Sequence, residues 1–150
     1  MRINQNCFID IGYYSLIVIS LIIIYAIILK VFLKTKINDP MINIELPIIG
    51  NGWKLSHLLF FMFLGYKYPN CFTEATILGI GWEITEFTVG HYFPIFFPNV
   101  ANSIDKNWSN WYYGDWVDVI FNTIGFLIGR QIRLSLNKKN KLDFKKIINS

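Results

Sequence analysis

The chain of 150 residues is predicted to be an all-α, polytopic membrane protein folded as a four-helix transmembrane bundle. Three observations lead to this prediction. The composition is 53% hydrophobic and 16% charged, whereas soluble domains have about 25% charged residues. Residues 11–29 carry no charge, and two later segments carry single polar stripes on otherwise apolar helical faces. The length has room for one domain, residues 1–150.

The first helix is predicted over residues 11–33, because its uncharged run of nineteen residues matches the ~20 needed to cross a bilayer. A cleaved signal peptide is the alternative. The run is longer than the usual ~7–15 residues, only Arg2 precedes it together with Asp10, and no Ala-x-Ala site follows. We therefore expect a retained anchor.

The next two segments are a loop and a short helix. Residues 34–52 contain prolines and glycines with mixed charge, which predicts a loop with a short extended piece at 42–46. A second helix is predicted over 53–66. Lys54 and Lys67 bound it, and their long side chains can extend outward from its two ends.

The third helix, predicted over 72–88, would escape a hydropathy scan because it contains three glutamates. At helical spacing, Gly79, Glu83, Glu86 and Gly90 form one polar and small stripe. We therefore expect this helix to face other polar helices.

An aromatic interfacial loop is predicted between the third and fourth helices. Residues 91–98 combine His, Tyr, Phe and Pro and are too apolar for a solvated linker, which favours a position in the membrane interface. Further along, Asn107 opens a glycosylation sequon, which matters only if this loop enters a secretory compartment.

The fourth helix, predicted over 115–132, carries the most ordered pattern in the chain. Asp115, Asp118, Asn122, Gly125 and Gly129 follow one another at spacings of three, four, three and four, which places them on one helical face. The two glycines form a small-xxx-small pair that lets another helix approach closely. That neighbour could be a partner transmembrane helix or a second copy of the chain.

The distribution of basic residues predicts an orientation. Seven of the fourteen Lys and Arg residues follow residue 129. Because they follow a hydrophobic helix, they predict a basic cytoplasmic tail (133–150) that flanks a membrane helix, and binding to nucleic acid is not predicted. Nine basic residues fall on the side of the termini and five on the other side. The count favours cytoplasmic termini, although Lys30, Lys34 and Lys36 argue against it.

Several kinds of chemistry have no signal in the chain. Cys7 and Cys71 fit no metal-ligand or redox spacing, and two cysteines alone do not define a disulfide framework, so both are interpreted as structural. No phosphate-binding glycine loop, nucleophile elbow or His-Glu-x2-His zinc helix is present. Nucleotide hydrolysis and zinc-protease chemistry are therefore not predicted.

Connectivity places the unusual polar side chains toward one membrane face. The candidate pocket contains His57, Glu83, Glu86, Asp115, Asp118 and Asn122. Such a group could act in acid–base catalysis on a lipid head group, or Glu83, Glu86 and Asp118 could hold a divalent cation.

A structural interpretation competes with the pocket. Asp115 could cap the fourth helix, Asp118 could favour its positive N-terminus, Asn122 could bond to a glutamate, and His57 could be an interfacial residue. Capping does not account for Glu83 and Glu86, which lie near a helix C-terminal end where the dipole disfavours anions. We therefore expect a functional pocket.

The same residues carry a family resemblance. They are His57, the sequence Trp82-Glu83-Ile84-Thr85-Glu86, and Gly114-Asp115 followed by Asp118, Asn122, Gly125 and Gly129. Over about residues 53–130 the chain resembles the VanZ-like superfamily of small integral membrane proteins. It is also similar to uncharacterised bacterial membrane proteins that carry Trp-Glu-x2-Glu followed by Tyr-Gly-Asp. The resemblance implies a four-helix membrane domain in a family with one member linked to glycopeptide resistance.

Together, the pattern and the resemblance predict an integral membrane protein that binds or acts on a lipid or lipid-linked head group. Whether it is an enzyme is left open. The alternative is a non-enzymatic scaffold that binds a partner helix.

Overall fold

A computed structural model describes residues 4–28, 40–96 and 115–148. Within them lie helices α1 (Gln5–Ile27), α2 (Pro40–Asn43), α3 (Gly52–Lys67), α4 (Phe72–Phe96) and α5 (Trp116–Ile148). These three ranges contain no β-strand, so the all-α prediction is confirmed.

Side-chain caps set where two of the helices begin. The Asn4 carboxamide accepts hydrogen bonds from the backbone N–H groups of Asn6 and Cys7, so α1 begins at Gln5 and not at residue 11. The Asn51 side chain caps α3 in the same way, accepting from the Lys54 N–H at 3.1 Å. The predicted end of the first helix, at residue 33, lies outside the described residues.

The predicted aromatic loop after Gly90 is wrong over residues 91–96, because α4 continues through Phe96. Aromatic rings four residues apart stack along this extension, Phe87 on His91 and Tyr92 on Phe96. Pro94 lies in the last turn, close to where the helix ends. Residues 97–98 of the predicted loop, and Asn107, lie outside the described residues.

Two further boundaries differ from expectation. The extended piece predicted at 42–46 is wrong, because α2 covers Pro40–Asn43 and only an isolated bridge joins Leu46 to Gly50. The fourth predicted helix does not end near 132, since α5 runs to Ile148. Its 33 residues span about 50 Å, which exceeds the ~30 Å hydrocarbon core.

Helices α3 and α5 form the closest contact in the bundle. A Cβ atom on Gly125 would overlap the Leu58 carbonyl oxygen, and one on Gly129 would overlap the Met62 carbonyl oxygen. The prediction that these glycines admit a closely packed helix is confirmed. That helix is α3 of the same chain.

A disulfide joins the start of α1 to the turn before α4. Cys7 and Cys71 are bonded, with their Cα atoms 5.7 Å apart, and both are buried. Beside them, the Asn4 N–H donates to Glu74 Oε1 at 2.7 Å. We call this end of the bundle the disulfide end. Spacing in the sequence gave no indication of this bond.

The other end of the bundle is identified by contacts between the opposite helix ends. The Tyr25 ring in α1 lies against the Trp53 ring in α3, with centroids 5.9 Å apart. Helix α1 separates this end from the disulfide. At 1.5 Å per residue, the part of α1 between Cys7 and Tyr25 is about 27 Å long, close to the thickness of the hydrocarbon core of a bilayer. We call this end the site end.

Polar as well as apolar side chains are buried in the bundle, and many large apolar side chains lie on its surface. Glu74, Glu83, Asp118 and Asn122 are buried, while thirty large hydrophobic side chains among the described residues are exposed, most of them on the four long helices. Soluble proteins rarely expose such extensive apolar surface. By length and hydropathy, one described helix can cross a membrane, over Gln5–Tyr25 with mean hydropathy 2.2.

Candidate functional site

His57 is the centre of the site and contacts residues from two other helices. Its Nδ1 lies 3.0 Å from Asn122 Oδ1 of α5 and 3.9 Å from Glu83 Oε1 of α4. Its Nε2 lies 3.9 Å from Asp118 Oδ2. We call His57, Glu83, Asp118 and Asn122 the His57 cluster, which joins α3, α4 and α5 near the site end.

Glycine makes room for the amide in this cluster. A Cβ atom on Gly79 of α4 would lie 3.1 Å from Asn122 Nδ2 and 3.0 Å from the Phe61 ring. Gly79 lies one helical turn before Glu83, as the predicted stripe requires. The small residue therefore lets α4 pack against Asn122.

Three members of the cluster are buried, His57 is partly buried, and the cluster is incompletely hydrogen-bonded. The exposed fractions are 1% for Glu83, 3% for Asn122 and 7% for Asp118. Glu83 Oε1, Asp118 Oδ1 and Asn122 Nδ2 have no hydrogen-bond partner among the described residues. An unsatisfied buried polar group costs roughly 1–3 kcal/mol, and more when charged. Two carboxylates with free oxygens beside one imidazole are therefore suited to a positively charged ligand or a shared proton.

Asp115 lies beside the cluster and caps α5, as the structural interpretation predicted. The Val117 N–H donates to Asp115 Oδ1 at 2.9 Å, and Lys54 Nζ lies 3.0 Å from Oδ2. Burial alone would raise the pKa of Asp115. The hydrogen bonds from Val117 and Lys54 outweigh it, so this pKa lies below its ordinary value. Asp115 is thus an ionised helix cap at neutral pH.

Glu83 also has a structural function that sequence reasoning missed. Its Oε2 accepts a hydrogen bond from the Asp115 N–H at 3.1 Å, which satisfies a backbone donor where α5 begins. Its other oxygen, Oε1, faces His57. One carboxylate therefore joins the helix start to the His57 cluster.

A cavity of about 490 Å³ opens between α1, α3 and α4. Its walls are mostly apolar. Along α1 it reaches from Phe8 to Ile22, roughly 21 Å at 1.5 Å per residue. His57 and Glu86 are the ionisable groups among its lining residues, which are Phe8, Ser15, Val18, Ile19, Ile22, Trp53, Ser56, His57, Phe60, Phe61, Ile77, Leu78, Gly79, Gly81, Trp82, Thr85 and Glu86.

The polar groups of this cavity lie toward the site end. Ile22 and Trp53 belong to the ends of α1 and α3 that meet there, and Glu86 lies one turn beyond Glu83 on α4. Trp82, one turn before Glu86 on α4, also lines the cavity. The cavity is therefore apolar along most of its length and polar at one end.

The six predicted site residues occupy three kinds of position. His57, Glu83, Asp118 and Asn122 form the cluster, Asp115 caps α5 beside it, and Glu86 lines the cavity. Potential ligand atoms of His57, Glu83 and Asp118 lie within 4.8 Å of one another. Glu86, which was predicted as a cation ligand together with Glu83 and Asp118, does not belong to this group.

Sequence reasoning missed Lys54, which pairs with Asp115 beside the site. The signal for Lys54 was its place three residues before His57, on the same face of α3.

In comparisons with known proteins, no family model, no curated protein and no solved structure matches this chain.

Proposed function

We propose that the chain is a VanZ-like integral membrane protein that binds, or acts on, a lipid or lipid-linked head group at one bilayer face. The observation that carries the proposal is the cavity of about 490 Å³, which is apolar along its length and has His57 and Glu86 at one end. An amphiphile with an acyl chain and a polar head has the same distribution of chemistry. Ligand pockets of this kind usually measure about 300–1,000 Å³.

The proposal places all four long helices in the bilayer. Exposed apolar side chains on α1, α3, α4 and α5 support this, because a lipid environment removes the cost of exposing them to water. The polar His57 cluster then faces the bundle interior, where intramembrane ionisable groups are normally found. Of these helices, α1 has the segment best suited to cross a membrane, the 21 residues Gln5–Tyr25.

Two activities are compatible with this binding. An enzyme would use His57 or Glu86 to move a proton to or from the head group, since both face the cavity and both can exchange protons. A scaffold would hold the lipid without turnover, or bind a partner helix on an exposed face. Gly125 and Gly129 already contact α3, so a partner would need another surface.

A lipid-retention experiment tests the binding proposal. Ile22→Trp places a larger side chain inside the cavity, whereas Leu21→Trp, one residue away, adds the same ring to an exposed position. After purification in mild detergent, lipid per chain would be measured by mass spectrometry. We expect roughly tenfold less lipid on Ile22→Trp, since a loss of ~1.4 kcal/mol of binding is tenfold in affinity. Leu21→Trp should retain the parental amount.

Equal lipid on the two variants, both folded, would contradict the proposal. So would a parent protein that carries no lipid above the level found on an unrelated membrane protein of similar size.

Two features of the chain favour opposite orientations in the membrane. The count of basic residues favours cytoplasmic termini. The Cys7–Cys71 disulfide lies at the same end as both termini of the bundle, and disulfides persist in oxidising compartments. Lys30, Lys34 and Lys36 directly follow α1 and agree with the disulfide, because the first helix usually dominates orientation. We therefore propose, in place of the charge-count prediction, that the disulfide end faces an oxidising compartment.

A further inference from the structure

We propose that His57, Glu83 and Asp118 bind a divalent transition-metal ion, of the Zn²⁺ or Mn²⁺ class. These residues come from three different helices, and one ligand atom from each lies within 4.8 Å of the others. This site shares His57 with the proposed lipid cavity, but Glu83 and Asp118 do not line that cavity, so metal binding can be tested without lipid and can fail separately from lipid binding.

The geometry is close to that of a coordination sphere. For three atoms within 4.8 Å of one another, a point exists no more than about 2.8 Å from each. Metal ligands lie at about 2.0–2.2 Å for nitrogen and oxygen around Zn²⁺. Movements of less than about 1 Å by three side chains would complete the sphere, and such movements need no change in the helices.

Unpaired oxygens give independent support. Glu83 Oε1 and Asp118 Oδ1 are buried and have no hydrogen-bond partner among the described residues. Glu83 Oε1 also lies 3.9 Å from His57 Nδ1, so it points into the cluster. In the part of the chain that the structure describes, the nearest lysine at this end, Lys54, pairs with Asp115 instead. A bound cation would neutralise the cluster and satisfy both oxygens.

Asn122 acts as a positioning residue. Its Oδ1 lies 3.0 Å from His57 Nδ1, so the ring can donate a proton there and keep a lone pair on Nε2, which faces Asp118 Oδ2 at 3.9 Å. Histidines that bind metals usually donate their other N–H in this way. The hydrogen bond thus prepares Nε2 as a ligand.

The ligand set favours an ion that accepts both nitrogen and oxygen. Imidazole suits Zn²⁺ and other later transition metals, while carboxylates suit Mg²⁺, Ca²⁺ and Mn²⁺. One histidine and two carboxylates therefore favour Zn²⁺ or Mn²⁺ over Ca²⁺. Three protein ligands also leave a coordination position open, as in catalytic zinc sites.

Thermal melting of the purified full chain tests the site. After treatment with a chelator and its removal, the melting temperature would be measured with Zn²⁺, Mn²⁺, Mg²⁺ or Ca²⁺ added. Binding to the folded state should raise it by roughly 5–10 °C at a hundredfold excess over the dissociation constant. We expect Zn²⁺ or Mn²⁺ to give this rise, and Asp118→Asn and Glu83→Gln to abolish it.

Glu74→Gln is the matched control. Glu74 is also a buried glutamate that accepts one backbone N–H, but it lies at the disulfide end. This variant should keep the full metal-induced rise. Electron paramagnetic resonance of added Mn²⁺ gives a second readout on the unmutated chain, where binding removes the signal of the free ion and Zn²⁺ restores it. No rise and no Mn²⁺ uptake by the parent would overturn the proposal, as would a rise that persists in both Glu83→Gln and Asp118→Asn.

Discussion

Gly129→Ala is expected to lower the free energy of unfolding by about 3 kcal/mol, at the upper end of the range for overpacking a close contact. The new Cβ atom would overlap the backbone carbonyl oxygen of Met62, and a backbone atom cannot rotate away as a side chain can. The overlap must be relieved by moving α3 from α5. Gly125 packs against Leu58 of α3 one turn earlier, so moving the helices apart at Gly129 would also separate them there.

Gly12→Ala is the control for this variant. Gly12 also lies within a helix, but a Cβ atom there would meet no other atom within 4 Å. Helix propensity alone then favours alanine by up to about 1 kcal/mol. Thermal unfolding in detergent, followed by circular dichroism, should show the two variants moving in opposite directions. Similar melting temperatures for the two would contradict the α3–α5 contact.

Cys7→Ser is expected to lower the free energy of unfolding by roughly 2–4 kcal/mol, the usual effect of losing a disulfide that closes a long loop. The bond joins residues separated by 64 positions in the chain. Cys71→Ser should have the same effect, and the double variant should have no greater effect. A reductant should destabilise the parent to the level of the variants and leave the variants unchanged.

The same two thiols report the orientation. Cells would be quenched in acid and the free thiols alkylated after denaturation. If the disulfide end faces an oxidising compartment, Cys7 and Cys71 should not be labelled unless a reductant is added first. Complete labelling without reductant would place the termini in the cytoplasm, as the count of basic residues predicts.

The polar stripes were predictable because helical periodicity is local. Spacings of three and four place Asp118, Asn122, Gly125 and Gly129 on one face whatever the rest of the fold. An apolar environment then leaves this face only one direction, toward other helices. The grouping of His57 and Glu83 with this stripe followed from connectivity, which places the start of one helix, the later part of the next and the start of the last at the same end of the bundle.

Features that depend on tertiary contacts were not predictable in this way. The disulfide requires that the turn between α3 and α4 lies beside the start of α1. The spacing between two cysteines does not encode this contact. The hydrogen bond from the Asp115 N–H to Glu83 joins residues 32 positions apart. The helical continuation over residues 91–96 is hard to predict because proline and aromatic residues also suit an interfacial loop, whereas the helix there is stabilised by i,i+4 ring stacking that only the folded chain shows.

The contact between His57 and Asp118 can be measured directly by a double-mutant cycle on the free energy of unfolding. His57→Gln and Asp118→Asn would be made singly and together in metal-free protein. Side chains in contact couple by about 0.5–3 kcal/mol, whereas distant pairs are additive within about 0.5 kcal/mol. We expect coupling of about 1 kcal/mol or more for this pair, and additivity for His57→Gln with Glu74→Gln, which lies at the disulfide end. Additivity of His57→Gln with Asp118→Asn would contradict the His57 cluster, and with it the site on which the proposed chemistry depends.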